Sequence, residues 1–133
     1  MSKSVMTNDG ELILDSHKLP YHMDRINAWE SGERIAPVTV DMALTRACGS
    51  MCKFCYAMMQ EPQERHGIKV HHVLNLLDDF AEIGVRGVSL VSDGESTLSK
   101  AYVPFIQHAS ELGINTGNAT NAGAWGPEKS KQV

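Results

Sequence analysis

The feature that most constrains this chain is a cluster of three cysteines. Cys48, Cys52 and Cys55 follow the spacing Cys-x-x-x-Cys-x-x-Cys, and the 133-residue sequence contains no other cysteine. Thiolates are soft ligands that suit iron–sulfur clusters, zinc or copper(I). A cubane iron–sulfur cluster normally takes four protein thiolates. The three cysteines therefore favour a cluster in which one iron has no cysteine ligand and is open to a substrate or cofactor.

Two other interpretations of the cysteines stay open at this point. Zinc held by the three cysteines and one of His66, His71 or His72 is the first, although structural zinc ligands usually come as two separated pairs. A disulfide with one spare thiol is the second, although the polar N-terminus argues against a secretory signal. Neither alternative explains three thiols in one short loop as well as an iron–sulfur cluster does.

Hydrophobic patterning predicts an α/β fold. Strands are expected over residues 38–44, 85–91 and 114–120, and amphipathic helices over 70–81 and from the N-cap Ser99 to Leu112. Gly84 and Gly113 are the expected helix ends. Strands that alternate with single helices pair in parallel through right-handed crossovers.

Three segments complete the predicted organisation. Residues 1–34 are expected to form an N-terminal arm with one short strand and a short helix from Tyr21 to Trp29. Residues 35–125 form the α/β core, and residues 126–133 form a polar tail.

Polar segments follow each of the three predicted strands. The cysteine loop comes after the first strand, Asp93-Gly94-Glu95 comes after the second, and residues 118–121 lie at the carboxyl end of the third. The carboxyl ends of parallel strands meet at one edge of the sheet, and sites in such folds lie there. The three segments are therefore expected to converge on one rim.

Composition excludes several other classes of protein. The chain carries 12 basic and 16 acidic side chains, so its net charge of −4 argues against general nucleic-acid binding. No run of about 18 apolar residues is present, which argues against a membrane span. The sequence accordingly predicts a cytoplasmic protein.

Three motifs resemble those of the radical S-adenosylmethionine (radical SAM) enzymes. The cysteine spacing with Phe54 just before Cys55 is similar to the family signature. Gly94-Glu95 matches the centre of a Gly-Gly-Glu-Pro-like turn, from which Asp93 and Ser96 depart. A weaker match, Thr120-Asn121-Ala122, resembles a Thr-Asn-Gly segment, and the resemblance covers residues 35–124.

The resemblance implies a [4Fe–4S] cluster and S-adenosylmethionine (SAM) as cofactors. Cys48, Cys52 and Cys55 would hold three irons, and the fourth would bind SAM. An external one-electron reductant would drive SAM cleavage to a 5′-deoxyadenosyl radical, which abstracts hydrogen from an unknown substrate. The residues expected to bind SAM are Ser50, Phe54, Gly94, Glu95, Thr120 and Asn121. No catalytic residue and no substrate is assigned.

The length adds a structural expectation. The family's partial β/α barrel has six units, whereas the 87 residues from 38 to 124 are enough for three. A truncated barrel of about three βα units is therefore expected, with a strand edge that is frayed, covered by the N-terminal arm or paired with a second chain. The alternatives are a non-catalytic zinc or iron–sulfur module, half of a split enzyme, and an electron carrier, for which a fourth cysteine is missing.

Overall fold

The computed structural model describes residues 3–7, 10–14, 19–50, 52–56, 67–91 and 93–133. Contacts divide the chain into two compact units, Met1–Ile35 and Ala36–Val133.

The N-terminal unit contains a β-hairpin and a helix. Strands β1 (Lys3–Thr7) and β2 (Gly10–Leu14) pair antiparallel, and a 3₁₀ turn over Leu19–His22 leads into α1 (Met23–Glu30). The expected helix is confirmed. The expectation of a single strand is wrong, because two strands, Lys3–Thr7 and Gly10–Leu14, are present and pair with each other.

The C-terminal unit is built on three parallel strands, as the α/β pattern predicts. Strands β3 (Thr39–Asp41), β4 (Gly87–Leu90) and β5 (Asn115–Asn118) lie in the order β3-β4-β5. Gly87 is paired with Thr39 on one side and Asn115 on the other. Helix α2 (Val70–Glu82) connects β3 to β4, and α3 (Tyr102–Glu111) connects β4 to β5.

Every strand is shorter than its apolar pattern suggested. Only three residues of the predicted strand 38–44 belong to the ladder, although Met42 N still donates to Ser89 O at 2.9 Å. Leu44 lies beyond the ladder and is fully buried in the core. Its apolar character reflects packing of the following loop rather than strand pairing, which is why the sequence pattern overestimated the strand.

Both helices contribute to one hydrophobic core with the central strand. Val88 and Leu90 of β4 are buried with alternation, as a period of two requires. The buried helical side chains are Val73 and Leu77 of α2 and Tyr102, Phe105 and Ala109 of α3. Removing these apolar surfaces from water stabilises the unit, by about 1.5–3 kcal/mol for each large side chain.

The ends of the later helices follow local rules. Helix α3 begins at Tyr102, so Pro104 lies in its first turn, where a missing N–H costs nothing. The hydroxyl of Ser99 accepts from Ala101 N at 3.2 Å, so Ser99 caps the turn that precedes the helix. Gly113, with φ +71°, ends α3 as predicted.

The predicted polar tail folds back as a short helix, α4 (Pro127–Ser130). Lys129 Nζ donates to Thr97 O at 2.6 Å and to Ala124 O at 3.0 Å. A charged side chain that satisfies two carbonyls stabilises this turn, an effect that composition alone does not reveal.

Strand β5 lies at the border of the sheet. In the part of the chain that the structure describes, β5 is paired with β4 alone. Residues Asn115, Thr116 and Gly117 are exposed along it. The expected open strand edge is thus present. None of the described helices is both long enough and apolar enough to span a bilayer.

Candidate cofactor site

Hydrogen bonds join the three polar segments at the carboxyl ends of the strands. Glu95 N, after β4, donates to Ala47 O, which precedes the cysteines, at 2.8 Å. Thr120 Oγ1, after β5, donates to Glu95 Oε1 at 2.6 Å, and Asn121 N donates to Glu95 Oε2 at 2.8 Å. The expected convergence on one rim is therefore confirmed, and the Glu95 carboxylate is its centre.

The Glu95 carboxylate is buried, and both of its oxygens accept hydrogen bonds. Glu95 is only 4% exposed. Its Oε1 also accepts from Thr97 Oγ1 at 2.6 Å and from Thr97 N at 3.2 Å. Burial alone would raise the pKa of this carboxyl, but the hydrogen bonds from Thr120, Thr97 and Asn121 outweigh it and lower the pKa. Glu95 is thus held as a carboxylate whose role in the structure is to brace the rim.

Gly94 brings the turn after β4 against the start of the cysteine loop. Its φ is +79°, a conformation that glycine adopts without steric cost. A Cβ at this position would overlap Thr45 O and lie 2.9 Å from the backbone of Arg46. The turn therefore requires glycine both for its conformation and for its close approach.

The cysteine loop carries three free thiols. Cys48 and Cys55 are partly buried, and Cys52 is exposed. Cys55 N donates to Cys52 O at 3.0 Å, which closes a tight turn between the second and third cysteines. Phe54, which precedes Cys55, is 92% exposed.

Two side chains, those of Asn121 and Asp93, attach the cysteine loop to the rim. The Asn121 amide Nδ2 donates to Ser50 Oγ at 2.9 Å and lies 3.8 Å from Cys48 Sγ. Asp93 Oδ2 lies 3.4 Å from Arg46 Nε before the cysteines. The hydrogen bond that the Tyr56 hydroxyl donates to Asp93, and the charge of that carboxylate, raise the pKa of Tyr56, which follows the third cysteine. Asp93 is a departure from the family's glycine, and here it contacts both flanks of the loop.

Some residues of the rim were not singled out from the sequence. Thr97 supplies two of the donors to Glu95, and its position two residues after an acidic side chain is the local signal for such a turn. Lys129 bonds the carbonyl of the same threonine from α4. No sequence pattern links Lys129 to Thr97, because this contact joins residues that are 32 positions apart and depends on the folded chain.

Asn118 presents an acceptor at the end of β5. Its Nδ2 donates to Tyr102 OH at 3.2 Å, and Tyr102 packs edge-on against Trp125 with 5.8 Å between ring centroids. Among the described side chains, Asn118 Oδ1 is the buried polar atom with no hydrogen-bond partner. A buried acceptor of this kind fits a donor on a bound molecule.

The donor set fits an iron–sulfur cluster in chemistry and number. Three free thiols within one loop match a cluster with one iron left for another ligand. Among the described residues, no three His, Cys, Asp or Glu side chains are grouped tightly enough to hold a metal ion. His71 and His72, invoked for the zinc alternative, are exposed on α2, whereas His66 and the pair Met58-Met59 lie outside the described residues.

Comparison with characterised proteins gives a consistent picture, although no family model matches the chain. An S-adenosylmethionine-dependent nucleotide dehydratase from Flammeovirga pacifica is 31% identical over 100 residues, which is 72% of this chain and 34% of that protein. A PqqA peptide cyclase from Bradyrhizobium diazoefficiens is 30% identical over 65% of this chain and 22% of its own length. An Fe-coproporphyrin III synthase from Methanosarcina barkeri is 29% identical over 90% of this chain and 28% of its own length.

Solved structures share the fold. SuiB from Streptococcus suis, crystallised with S-adenosylmethionine, aligns with a TM-score of 0.67 at 18% identity over 90% of this chain and 29% of SuiB. BtrN, crystallised with AdoMet and 2-DOIA, aligns with a TM-score of 0.64 at 14% identity over 74% of this chain and 42% of BtrN.

These relatives define a class of enzymes built on a β/α barrel. The chain belongs to the radical SAM enzyme superfamily, and its three parallel strands correspond to part of that barrel. It spans about a third or less of the length of the curated relatives named here.

Proposed function

We propose that the protein is the cofactor-binding part of a radical SAM enzyme. Cys48, Cys52 and Cys55 would hold a [4Fe–4S] cluster, and the rim beside them would hold SAM. The observation that carries this proposal is the set of hydrogen bonds that joins the cysteine loop, the Gly94-Glu95 turn and the end of β5. When bound, the cluster and SAM together supply reductive cleavage to a 5′-deoxyadenosyl radical.

The side chains of the rim divide into two groups according to their free hydrogen-bonding capacity. Both Glu95 oxygens accept from the chain, and Thr120 Oγ1 donates to Glu95 while it accepts from Ala122 N at 3.0 Å. Glu95 and Thr120 therefore act by positioning the rim rather than by direct side-chain contact with SAM. Gly94 would contribute backbone groups in the same turn.

The side chains of the second group are exposed or keep free hydrogen-bonding capacity. Asn118 Oδ1 is a buried acceptor without a partner among the described residues and would accept from a hydroxyl or ammonium donor of SAM. The exposed Phe54 ring offers a face on which the adenine would stack. Ser50 Oγ accepts from Asn121 and retains its own proton as a donor.

A strand partner for β5 is part of the same proposal. The relatives are about three to five times as long as the matched segment, and β5 is paired on one side in the described structure. A further parallel strand would pair there and extend the sheet towards the barrel of the relatives. The substrate would then be determined by elements beyond the described strands, and an external one-electron reductant would serve the cluster.

Anaerobic reconstitution tests the proposal. The full chain is incubated with iron and sulfide, iron is quantified, and 5′-deoxyadenosine is measured after reduction with SAM present. We expect iron–sulfide incorporation in the wild type and in the matched loop control Lys53→Ala. We expect its loss in Cys48→Ala, Cys52→Ala and Cys55→Ala. A zinc-only protein that stays folded, or cluster retained in the cysteine variants, would contradict the assignment.

Cofactor binding and turnover are separated within the same experiment. If the wild type takes up the cluster and binds SAM by calorimetry but releases no 5′-deoxyadenosine, independent turnover is excluded and the split-enzyme alternative is favoured. If iron enters but SAM does not bind, the proposed SAM site is wrong.

A further inference from the structure

Asn121 connects two parts of the chain that are 73 residues apart. Its amide Nδ2 lies 3.8 Å from Cys48 Sγ, and the same nitrogen donates to Ser50 Oγ at 2.9 Å. Cys48 is partly buried and its thiol donates to Ser50 O at 3.6 Å. The sulfur of the first cysteine therefore sits between a carbonyl of its own loop and an amide from the end of β5.

The orientation of this amide is determined by its other end. Asn121 Oδ1 accepts from Gly123 N at 2.8 Å. If the amide were flipped, its NH₂ group would face the N–H of Gly123, and two donors would oppose each other. The Asn121 backbone is held as well, because its N–H donates to the buried Glu95 carboxylate. Both N–H groups of Nδ2 are consequently presented to the cysteine loop.

We infer that Asn121 is a positioning residue for the cluster, donating an N–H···S hydrogen bond to the Cys48 sulfur. This inference rests on the proposed function, since it concerns the cluster that Cys48 would help to hold. Hydrogen bonds to cluster sulfurs are among the factors that set reduction potentials. A donor stabilises the reduced cluster more than the oxidised one, because the reduced cluster carries one more negative charge. The Asn121 amide therefore raises the reduction potential of the cluster.

The role differs from the SAM contact that the sequence suggested for Asn121. Its Oδ1 and Nδ2 are both engaged with the chain, with Gly123 on one side and the cysteine loop on the other. Asn121 thus links the first cysteine to the rim, because its backbone is bonded to Glu95 and its side chain lies next to Cys48.

The test is a redox titration of the whole 133-residue chain after cluster reconstitution, without SAM and monitored by electron paramagnetic resonance. Asn121→Leu removes the donors without adding charge, and Asn121→Asp removes them while it retains an acceptor for Gly123. We expect a more negative midpoint potential in both variants. Asn115→Ala, at the opposite end of β5, is the control and should retain the wild-type potential.

Ser50→Ala distinguishes the effect of the N–H···S bond on the potential from the effect of the position of the loop. This variant keeps Asn121 and loses only the hydroxyl acceptor, so we expect a potential close to the wild type. An unchanged potential in Asn121→Leu overturns the inference, as does a shift in Ser50→Ala equal to that in Asn121→Leu. Failure of the wild type to take up any cluster is a different result, which contradicts the proposed function itself.

Discussion

The rim of the sheet and the cysteine loop are neighbours with opposite kinds of structure. On the rim, Glu95 is 4% exposed and accepts four hydrogen bonds from three residues. In the loop, Phe54 is 92% exposed and Cys52 is exposed. The rim is assembled by bonds within the chain, whereas the loop is attached at its flanks and presents its centre outward. Under the proposed function, stability and ligand binding therefore fall to different residues of one site.

Gly94→Ala is the change expected to disturb this arrangement most. The new Cβ would overlap Thr45 O, and the φ of +79° disfavours any side chain. We expect a loss of about 2–5 kcal/mol in the free energy of unfolding, measured by urea denaturation of the apoprotein.

Gly113→Ala is the matched control for Gly94→Ala. Its φ is +71°, but nothing lies within 4 Å of a Cβ at that position. Gly113→Ala should therefore lower the free energy of unfolding by only about 1–2 kcal/mol, the cost of placing an alanine at a positive φ. Equal losses in the two variants would mean that the contact between the turn and the cysteine loop contributes nothing to stability.

Glu95→Gln tests the charge at the centre of the rim. The amide would set an N–H group against donors from Thr120 or Asn121, so we expect a loss of about 1–3 kcal/mol at neutral pH. Because folding lowers the pKa of Glu95, its contribution is fully present above the ordinary glutamate value of about 4.3 and disappears as the pH falls through the lower folded pKa.

The difference in unfolding free energy between wild type and Glu95→Gln should accordingly shrink on acidification. Chemical denaturation over a series of pH values measures it. The exposed Glu82→Gln at the end of α2 is the control and should change stability by less than about 0.5 kcal/mol. A difference that is constant down to strongly acidic pH would show that the rim does not depend on the ionised carboxylate.

Phe54→Ala is expected to have the smallest effect on folding and to reveal the function of the loop. A ring that is 92% exposed contributes little to the folded state, so the stability of the apoprotein should change by less than about 0.5 kcal/mol. Loss of stacking on adenine should weaken SAM binding by about 2- to 10-fold, measured by calorimetry on the reconstituted protein. Lys53→Ala is the control, and equal affinities in both variants would remove Phe54 from the proposed SAM site.

Local patterns predicted the succession of elements because each depends on nearby residues. Helix α2 follows the spacing of its apolar side chains, and the end of α3 follows from Gly113. The convergence of the three polar segments also followed from sequence, since parallel strands carry their carboxyl ends to one edge. Glu95 lies at the centre of this edge, but the sequence did not reveal that its carboxylate accepts hydrogen bonds from Thr97, Thr120 and Asn121.

The family resemblance was informative both where it held and where it failed. Asp93, which replaces a glycine, contacts Arg46 and Tyr56 on the two flanks of the cysteine loop. Ala122, which also replaces a glycine, adopts φ +58°, a conformation that an alanine takes at a steric cost.

The sequence by itself determined the donor chemistry, because three thiols, their spacing and the strand before them are properties of contiguous residues. Only the tertiary structure decided which side chains brace the site and which remain available to a ligand. Asn121 reaches Cys48 across 73 residues, and Thr120 reaches Glu95 across 25. Such bonds form only after the parallel strands have paired and brought their carboxyl ends together. Contiguous residues therefore determine which atoms can bind a metal, whereas the hydrogen bonds around those atoms depend on the whole sheet.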